Sequence, residues 1–279
     1  MQTLSEWINV HEAEDLVSLQ EKLIMFQNGK RYGQIVFLAG GAGSGKGFAI
    51  KNFMEKDKFK VRDVDEWKSA LIKLAKEKGM NPELANLNLR NPKDVFKLHT
   101  VVKKLGIKDK TLDLMLTDLK ADRLPNIIFD ITLKEITDIN DVLPRLIELG
   151  YQPENVHLTW VLTNYRVAVK NNSERSRVVP EDILLQTHEG ASKTMAQIIK
   201  GRAPRGLNGK IAVILNNPEN TVFFDTPNNQ GKQVIKDFLY VTVKKEGKGF
   251  EKEDAVQKQV FAWMKDNIPK SKETKGLFD

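Results

Sequence analysis

The apolar run Ile35-Val36-Phe37-Leu38-Ala39 passes directly into Gly40-Gly41-Ala42-Gly43-Ser44-Gly45-Lys46-Gly47, and no other feature constrains this chain as tightly. A short unbroken apolar run suits a strand covered on both faces, the kind found in parallel sheets. A strand that ends in Gly-x-x-x-x-Gly-Lys and opens a helix, predicted here from Phe48 to about Lys56, is the arrangement phosphate binding requires. The glycines let backbone N–H groups turn inward, the helix start adds positive potential, and Lys46 reaches the β- and γ-phosphates of ATP. A glycine-rich turn that binds nothing is the bland alternative, and the conjunction of strand, loop, lysine and helix weighs against it. Gly40, Gly41, Ala42, Gly43, Ser44, Gly45, Lys46, Gly47 and Phe48 are therefore the expected nucleotide-binding residues.

Gly47 stands where a Ser or Thr usually follows the lysine and ligates Mg²⁺. Adenylate kinases share the Lys-Gly pair but continue with Thr where this chain has Phe48. The ion must then be held by Ser44, Asp63, Asp65 or Asp130, or through water.

The rest of the chain reads as α/β. A second strand over Phe59–Val64 is followed by a helix from Asp65 to about Lys78 with Trp67, Leu71, Ile72 and Leu74 on one face. Strand, helix, strand is the signature of a parallel sheet flanked by helices. Asn81 to Lys120 reads as a helical insertion over the site, and Ile127–Phe129 as a third strand with Asp130 at its carboxyl end. A helix over Ile139–Leu149, a fourth strand over Val156–Leu162 and a short helix over Asn164–Lys170 follow. Asn171 to Arg177 is predicted as a polar basic loop, and Pro180 opens the next helix. Farther on come strands at Ile211–Leu215, Thr221–Asp225 and Phe238–Val243 and a helix near Ala255–Met264.

This reading divides the chain into an N-terminal helical segment (1–32, from apolar spacing between Ser5 and Asn28), a P-loop kinase core (33–200), a C-terminal α+β extension or part of the same domain (201–268) and a tail (269–279). With 279 residues, 41% of them hydrophobic, the chain can bury a substantial core. It has no cysteine and only four His, which removes disulfide frameworks and thiolate metal sites. Forty-four Lys and Arg against 37 Asp and Glu favour anionic ligands, nucleotides and nucleic acid among them, without choosing between them. The polar N-terminus and the absence of a long apolar run read as a cytoplasmic chain that does not enter a membrane.

Parallel sheets bind ligands at the carboxyl ends of their strands, where Asp63, Asp65 and Asp130 are predicted to lie. Asp65, just past the second strand, is the candidate general base, with a helix N-cap as the bland alternative that its position also suits; one residue can do both. Arg175 and Arg177 precede a proline-started helix, as a lid bringing guanidinium groups to a transferring phosphate would; a solvated basic loop is the plainer account. His188 is set aside as structural or exposed.

In order and spacing these pieces resemble the zeta-toxin family of P-loop kinases. The family's Asp-x-Asp at the second strand is matched by Asp63-Val64-Asp65, and its acidic residue before Gly-Thr-Leu by Asp130-Ile131-Thr132-Leu133. Gly150-Tyr151, Trp160-Val161-Leu162-Thr163, and Arg175 and Arg177 ahead of Pro180 and His188 continue the match, which spans Gln34 to Thr194. The resemblance implies that Lys46 binds phosphate, Asp65 activates the acceptor hydroxyl, Arg175 and Arg177 steady the γ-phosphate, and Asp63, Asp130 and Thr132 face the acceptor. It also implies ATP with Mg²⁺, a sugar-nucleotide acceptor and an antitoxin-like protein partner. Asp130 in place of a family glutamate, the compact segment before Arg175, and Gly47 are departures. A nucleotide or polynucleotide kinase, and a non-catalytic nucleotide-binding protein, are the competing readings.

Overall fold

Where apolar residues run without interruption the backbone forms buried strands, and where they recur every three or four residues it forms the helices that cover them. The computed structural model describes residues 32–54, 58–79, 82–117, 124–225, 235–247 and 254–271, with Thr274 and Gly276. The helix expected between Ser5 and Asn28 lies outside the described residues.

In chain order the elements are β1 (Ile35–Ala39), α1 (Lys46–Phe53), β2 (Lys60–Arg62), α2 (Val64–Lys78), α3 (Pro82–Ala85), α4 (Pro92–Lys104), α5 (Ile107–Thr117), β3 (Ile127–Ile131), α6 (Thr137–Asn140), α7 (Leu143–Glu148), β4 (Val156–Leu162), α8 (Tyr165–Glu174), α9 (Glu181–Ile199), β5 (Ile211–Leu215), β6 (Thr221–Phe223), β7 (Ile235–Lys244) and α10 (Asp254–Asn267). The seven strands form one sheet in the order β2-β3-β1-β4-β5-β7-β6. β2, β3, β1, β4 and β5 are parallel, and β7 and β6 add an antiparallel edge. This is the α/β P-loop fold expected from the sequence. Strand order reverses about β1, which puts the loop after β1 at the crevice where such sheets take ligands.

Each residue of β1, β4 and β5 is buried, as an unbroken apolar run requires. On one face Phe37, Phe129, Leu158 and Trp160 pack with Ala191 and Met195 of α9. On the other, Val36, Leu38, Ile128, Val161 and Ile214 meet Ala49, Ile50 and Phe53 of α1. At the amino edge of the sheet His157 joins three strands: its Nδ1 accepts from the Lys210 N–H at 2.9 Å, and Nε2 donates to Gln34 Oε1 at 2.8 Å. Gln34 in turn donates its N–H to Asn126 Oδ1 at 3.0 Å.

Three local readings change. The helix expected over Ile139–Leu149 is two short helices, because Pro144 has no N–H to continue a helix and instead occupies the first turn of α7. The loop expected over Asn171–Arg177 is mostly the last turn of α8, which runs to Glu174. Asn164 caps that helix by accepting from the Arg166 N–H, and Asn172 is buried at its end. In α2 Ile72 and Ala75 are buried and Leu71 packs partly buried beside them, as expected of Leu71 and Ile72, while Leu74 is exposed.

The helical insertion α3–α5 joins the core through Leu112 and Leu116 of α5, which pack into it, and through two polar ties. Arg145 of α7 pairs with Asp113 of α5 at 2.6 Å, and Val178 donates its N–H to the Leu89 carbonyl at 2.9 Å. The second tie brings the insertion against the segment that carries Arg175 and Arg177.

Candidate active site

The loop between β1 and α1 is held by its carbonyls. Gly40 O accepts from Lys46 Nζ at 2.8 Å, Gly41 O from the Ser44 N–H at 3.2 Å, and Ala42 O from His188 Nε2 at 2.8 Å. Gly43 O accepts from Asn171 Nδ2 at 3.1 Å. Ser44 O accepts from Thr163 Oγ1 at 2.7 Å and Asn216 Nδ2 at 2.9 Å, and Gly45 O from the Ala49 N–H at 2.9 Å. All six carbonyls from Gly40 to Gly45 are thus engaged by protein donors, which holds the loop in one shape. A concavity lined by backbone N–H groups is an anion site.

Two conformational requirements explain the glycines. Gly43 has φ 74°, and a Cβ there would run into the Ala168 carbonyl oxygen of α8. Gly45 has φ 89° and stands at the N-cap of α1 with no side-chain cap. The first turn of α1 therefore has no side chain capping its N–H groups, and these, with the helix dipole, complete the cradle.

Lys46 bends back over the loop, and its Nζ lies 3.5 Å from Oδ1 of Asp130. Pairing of Leu38 with Asp130 in the β1–β3 register places Asp130 beside the carboxyl end of β1. Both side chains are mostly buried, at 13% and 17% exposure, so their attraction is less screened than that of a surface pair.

The other expected site residues are spread around this pair. Asp63 follows β2, half-buried, two strands out from β1. Helix α2 starts at Val64, so Asp65 falls inside its first turn rather than at the cap; the Asp65 side chain lies outside the described residues. Thr132 Oγ1 donates to Asp138 Oδ2 at 3.4 Å. Arg175 is exposed and Arg177 half-buried, in the five-residue connection from α8 to the N-cap Pro180 of α9. Asn172 fixes that connection by accepting from the Val179 N–H at 3.0 Å and donating to its carbonyl at 2.8 Å.

Ser44 is 1% exposed and its Oγ has no hydrogen-bond partner. It packs against Gly40, where an added Cβ would come within 2.5 Å of that hydroxyl, and is turned into the fold. At Gly47, by contrast, an added Cβ would meet nothing within 4 Å. Among the described residues no three or more His, Cys, Asp or Glu form a metal cage. That suits Mg²⁺, which keeps its waters and takes one or two carboxylates besides substrate phosphates. The Asp130 carboxylate, 3.5 Å from Lys46 Nζ and mostly buried, fits as such a carboxylate.

The side chains that shape the loop were mostly invisible to sequence reasoning. Asn171, Thr187 and Asn216 are single polar residues with no spacing signal to mark them, and Thr163 stands out only as the end of an apolar strand in the family order. His188, set aside as structural or exposed, is 3% exposed and bonded to the loop. Burial foremost, then the charge of Lys46, holds its ring down to about 4 against the partly opposing bond to Ala42 O, so the imidazole is neutral at physiological pH. No helix among the described residues is long and apolar enough to cross a membrane.

A family model described as Zeta toxin matches residues 20–229. No curated protein matches the chain. Among solved structures, that of the PezAT chromosomal toxin-antitoxin system of Streptococcus pneumoniae is similar at 15% identity, over 78% of this chain and 80% of that one, with a TM-score of 0.43. The AvrRxo1-ORF1:-ORF2 structure with ATP matches at 14% identity over 92% of this chain and 69% of that one, with a TM-score of 0.46. Deoxyadenosine kinase from M. mycoides with bound dATP matches at 16% identity over 60% and 86%, with a TM-score of 0.34.

Proposed function

We propose that this chain, which belongs to the zeta-toxin family, is an ATP-dependent phosphotransferase that passes the γ-phosphate to a hydroxyl of a small acceptor. The observation that carries this reading is the loop at the end of β1, with its carbonyls engaged by protein donors and Lys46 and Asp130 meeting at its mouth. In that arrangement Lys46 would move from Gly40 O to the β- and γ-phosphates, the free N–H groups would cradle them, and Asp130 would sit on the metal side. Bound Mg²⁺ would supply charge neutralisation across the phosphates. Asp65 or Asp63 would accept the hydroxyl proton, and Arg175 and Arg177 would reach the γ-phosphate from the α8–α9 connection. A sugar-nucleotide is the acceptor class the family reading favours.

The test is acceptor-dependent ADP release, measured with a panel of sugar-nucleotides, nucleosides and nucleic-acid ends. Turnover with one class and not the others names the acceptor. ATP binding without release to any acceptor would reject transfer and leave a nucleotide-binding module.

The Lys46-Gly47 pair favours a second reading, a nucleotide or polynucleotide kinase. A polynucleotide acceptor would show affinity that falls steeply with salt as lysines and arginines give up phosphate contacts. An antitoxin-like protein partner belongs to the first reading, and its expected effect is loss of ADP release when the two are mixed.

A further inference from the structure

Helix α9 grips the phosphate loop at one residue. Both backbone groups of Ala42 are taken: its N–H donates to Thr187 Oγ1 at 3.1 Å and its carbonyl accepts from His188 Nε2 at 2.8 Å. Since a carbonyl only accepts, Nε2 carries the hydrogen. The hydroxyl hydrogen of Thr187 goes to Leu184 O at 2.7 Å, which leaves its oxygen turned toward Ala42. The His188 ring also rests edge-on to Tyr165, with centroids 5.7 Å apart, and lies so close over Gly41 that any Cβ there would collide with it.

One turn farther on, the same helix touches the loop that leads away from Asp130 and Thr132. An added Cβ at Gly190 would lie 2.8 Å from Lys134 O, so the helix backbone is in close contact there. Thr194 Oγ1 donates to that same carbonyl at 3.2 Å, and Lys134 Nζ to Gln186 Oε1 at 3.1 Å. A single 19-residue helix thus fixes the β1–α1 loop and the loop after β3 to one rigid body.

We propose that His188, together with Thr187, is a positioning residue of the reaction: it sets the apex of the phosphate loop on α9 and so sets the distance between the γ-phosphate and the acceptor side. The inference rests on the nucleotide-binding reading of the loop and on the reading of Thr132 as facing the acceptor. Small errors in such a distance are costly, because about 1 Å of misplacement can reduce turnover by roughly a hundredfold.

The test compares four variants of the full chain by titration with a fluorescent ATP analogue and Mg²⁺, with slow ATP hydrolysis as a second readout. His188→Leu keeps much of the ring's volume without a donor, and His188→Gln returns a donor N–H at similar reach. Thr187→Val and Thr187→Ser form the matching pair. Loss of one loop bond in His188→Leu or Thr187→Val should weaken analogue binding roughly three- to tenfold. Hydrolysis should fall by more than affinity, and His188→Gln and Thr187→Ser should recover most of both. If the Leu and Gln variants lose melting temperature alike and both bind the analogue as the parent does, His188 is only a packing residue and the inference is overturned. Failure of the parent chain itself to bind the analogue would instead reject the nucleotide reading.

Discussion

Lys46 Nζ and Asp130 Oδ1 lie 3.5 Å apart at the carboxyl ends of adjacent parallel strands, with the ammonium also bound to the Gly40 carbonyl at 2.8 Å. The lysine is held folded over the mouth of its own loop by these and by the Gly41 carbonyl at 3.5 Å, and phosphate oxygens would replace them. Lys46→Ala should abolish phosphotransfer and weaken ATP binding, since backbone donors alone cannot match the β- and γ-phosphate charge. Asp130→Asn should keep nucleotide binding but lower turnover or Mg²⁺ affinity by roughly 10- to 100-fold, the range found when a supporting metal-site partner is lost. Rates measured across a magnesium titration check both, and undiminished turnover in Lys46→Ala would end the phosphate-loop assignment.

Gly47 offers the complementary experiment. An added Cβ there meets nothing within 4 Å, so a hydroxyl side chain can be introduced without strain at the usual metal-ligating position. Gly47→Ser should lower the magnesium concentration needed for half-maximal ADP release. An unchanged requirement would show that the ion sits elsewhere.

Arg175 and Arg177 lie in the short connection between α8 and α9, which Asn172 fixes through its two bonds to Val179. Guanidinium groups in such a place act mainly on charge that develops in the transition state. The double change to Ala should therefore reduce turnover much more than ATP affinity. Equal losses would mean that they hold the ground-state nucleotide.

Acid should destabilise the fold through its buried histidines. Burial foremost, then Lys210 and Lys244, pushes the His157 ring down to about 3 from an ordinary 6.5. Between those values the unfolded chain binds more protons than the folded one, so stability rises with pH through this window. The contribution is fully present above about pH 6.5, is reduced by about 2 kcal/mol near pH 5, and goes on falling toward pH 3. His188 adds a similar loss over the narrower window down to about 4. Urea unfolding at a series of pH values should show this slope, and His157→Gln, which can still accept from the Lys210 N–H and donate to Gln34, should flatten it. An unaltered slope would place the acid sensitivity in other groups.

The strands were legible because burial on both faces demands an unbroken apolar run. Ile35–Ala39, Val156–Leu162 and Ile211–Leu215 are predicted and observed with the same ends. Helix ends were less legible: Pro144 reads equally as an interior break or a first-turn residue, and Asn171–Glu174 is polar enough to pass for a loop although Asn172 is buried. The loop's glycines and Lys46 announce themselves by spacing. His188 does not, because its contact with Ala42 spans 146 residues of chain and is made by the packing of α9 against β1. Side chains that shape a site by bonding backbone carbonyls leave no pattern in a single sequence.

The assignment of the base can be decided between two neighbouring aspartates. Helix α2 begins at Val64, which puts Asp63 just before the helix and Asp65 within its first turn, both at the carboxyl end of β2 where an acceptor would enter. A carboxylate at either position also favours the helix dipole, so loss of charge costs a few tenths of a kcal/mol to about 1 kcal/mol whichever one is changed. Asparagine keeps the size and the hydrogen-bond acceptor of aspartate while removing its capacity to take a proton. If Asp65 is the base, Asp65→Asn should fold with a melting temperature close to that of the parent, bind ATP normally and lose roughly two to four orders of magnitude in acceptor-dependent ADP release. Asp63→Asn should then be the more active variant, with any defect relieved by added magnesium. The reverse outcome, a dead Asp63→Asn beside an active Asp65→Asn, would assign proton transfer to Asp63 and leave Asp65 as a first-turn charge on α2.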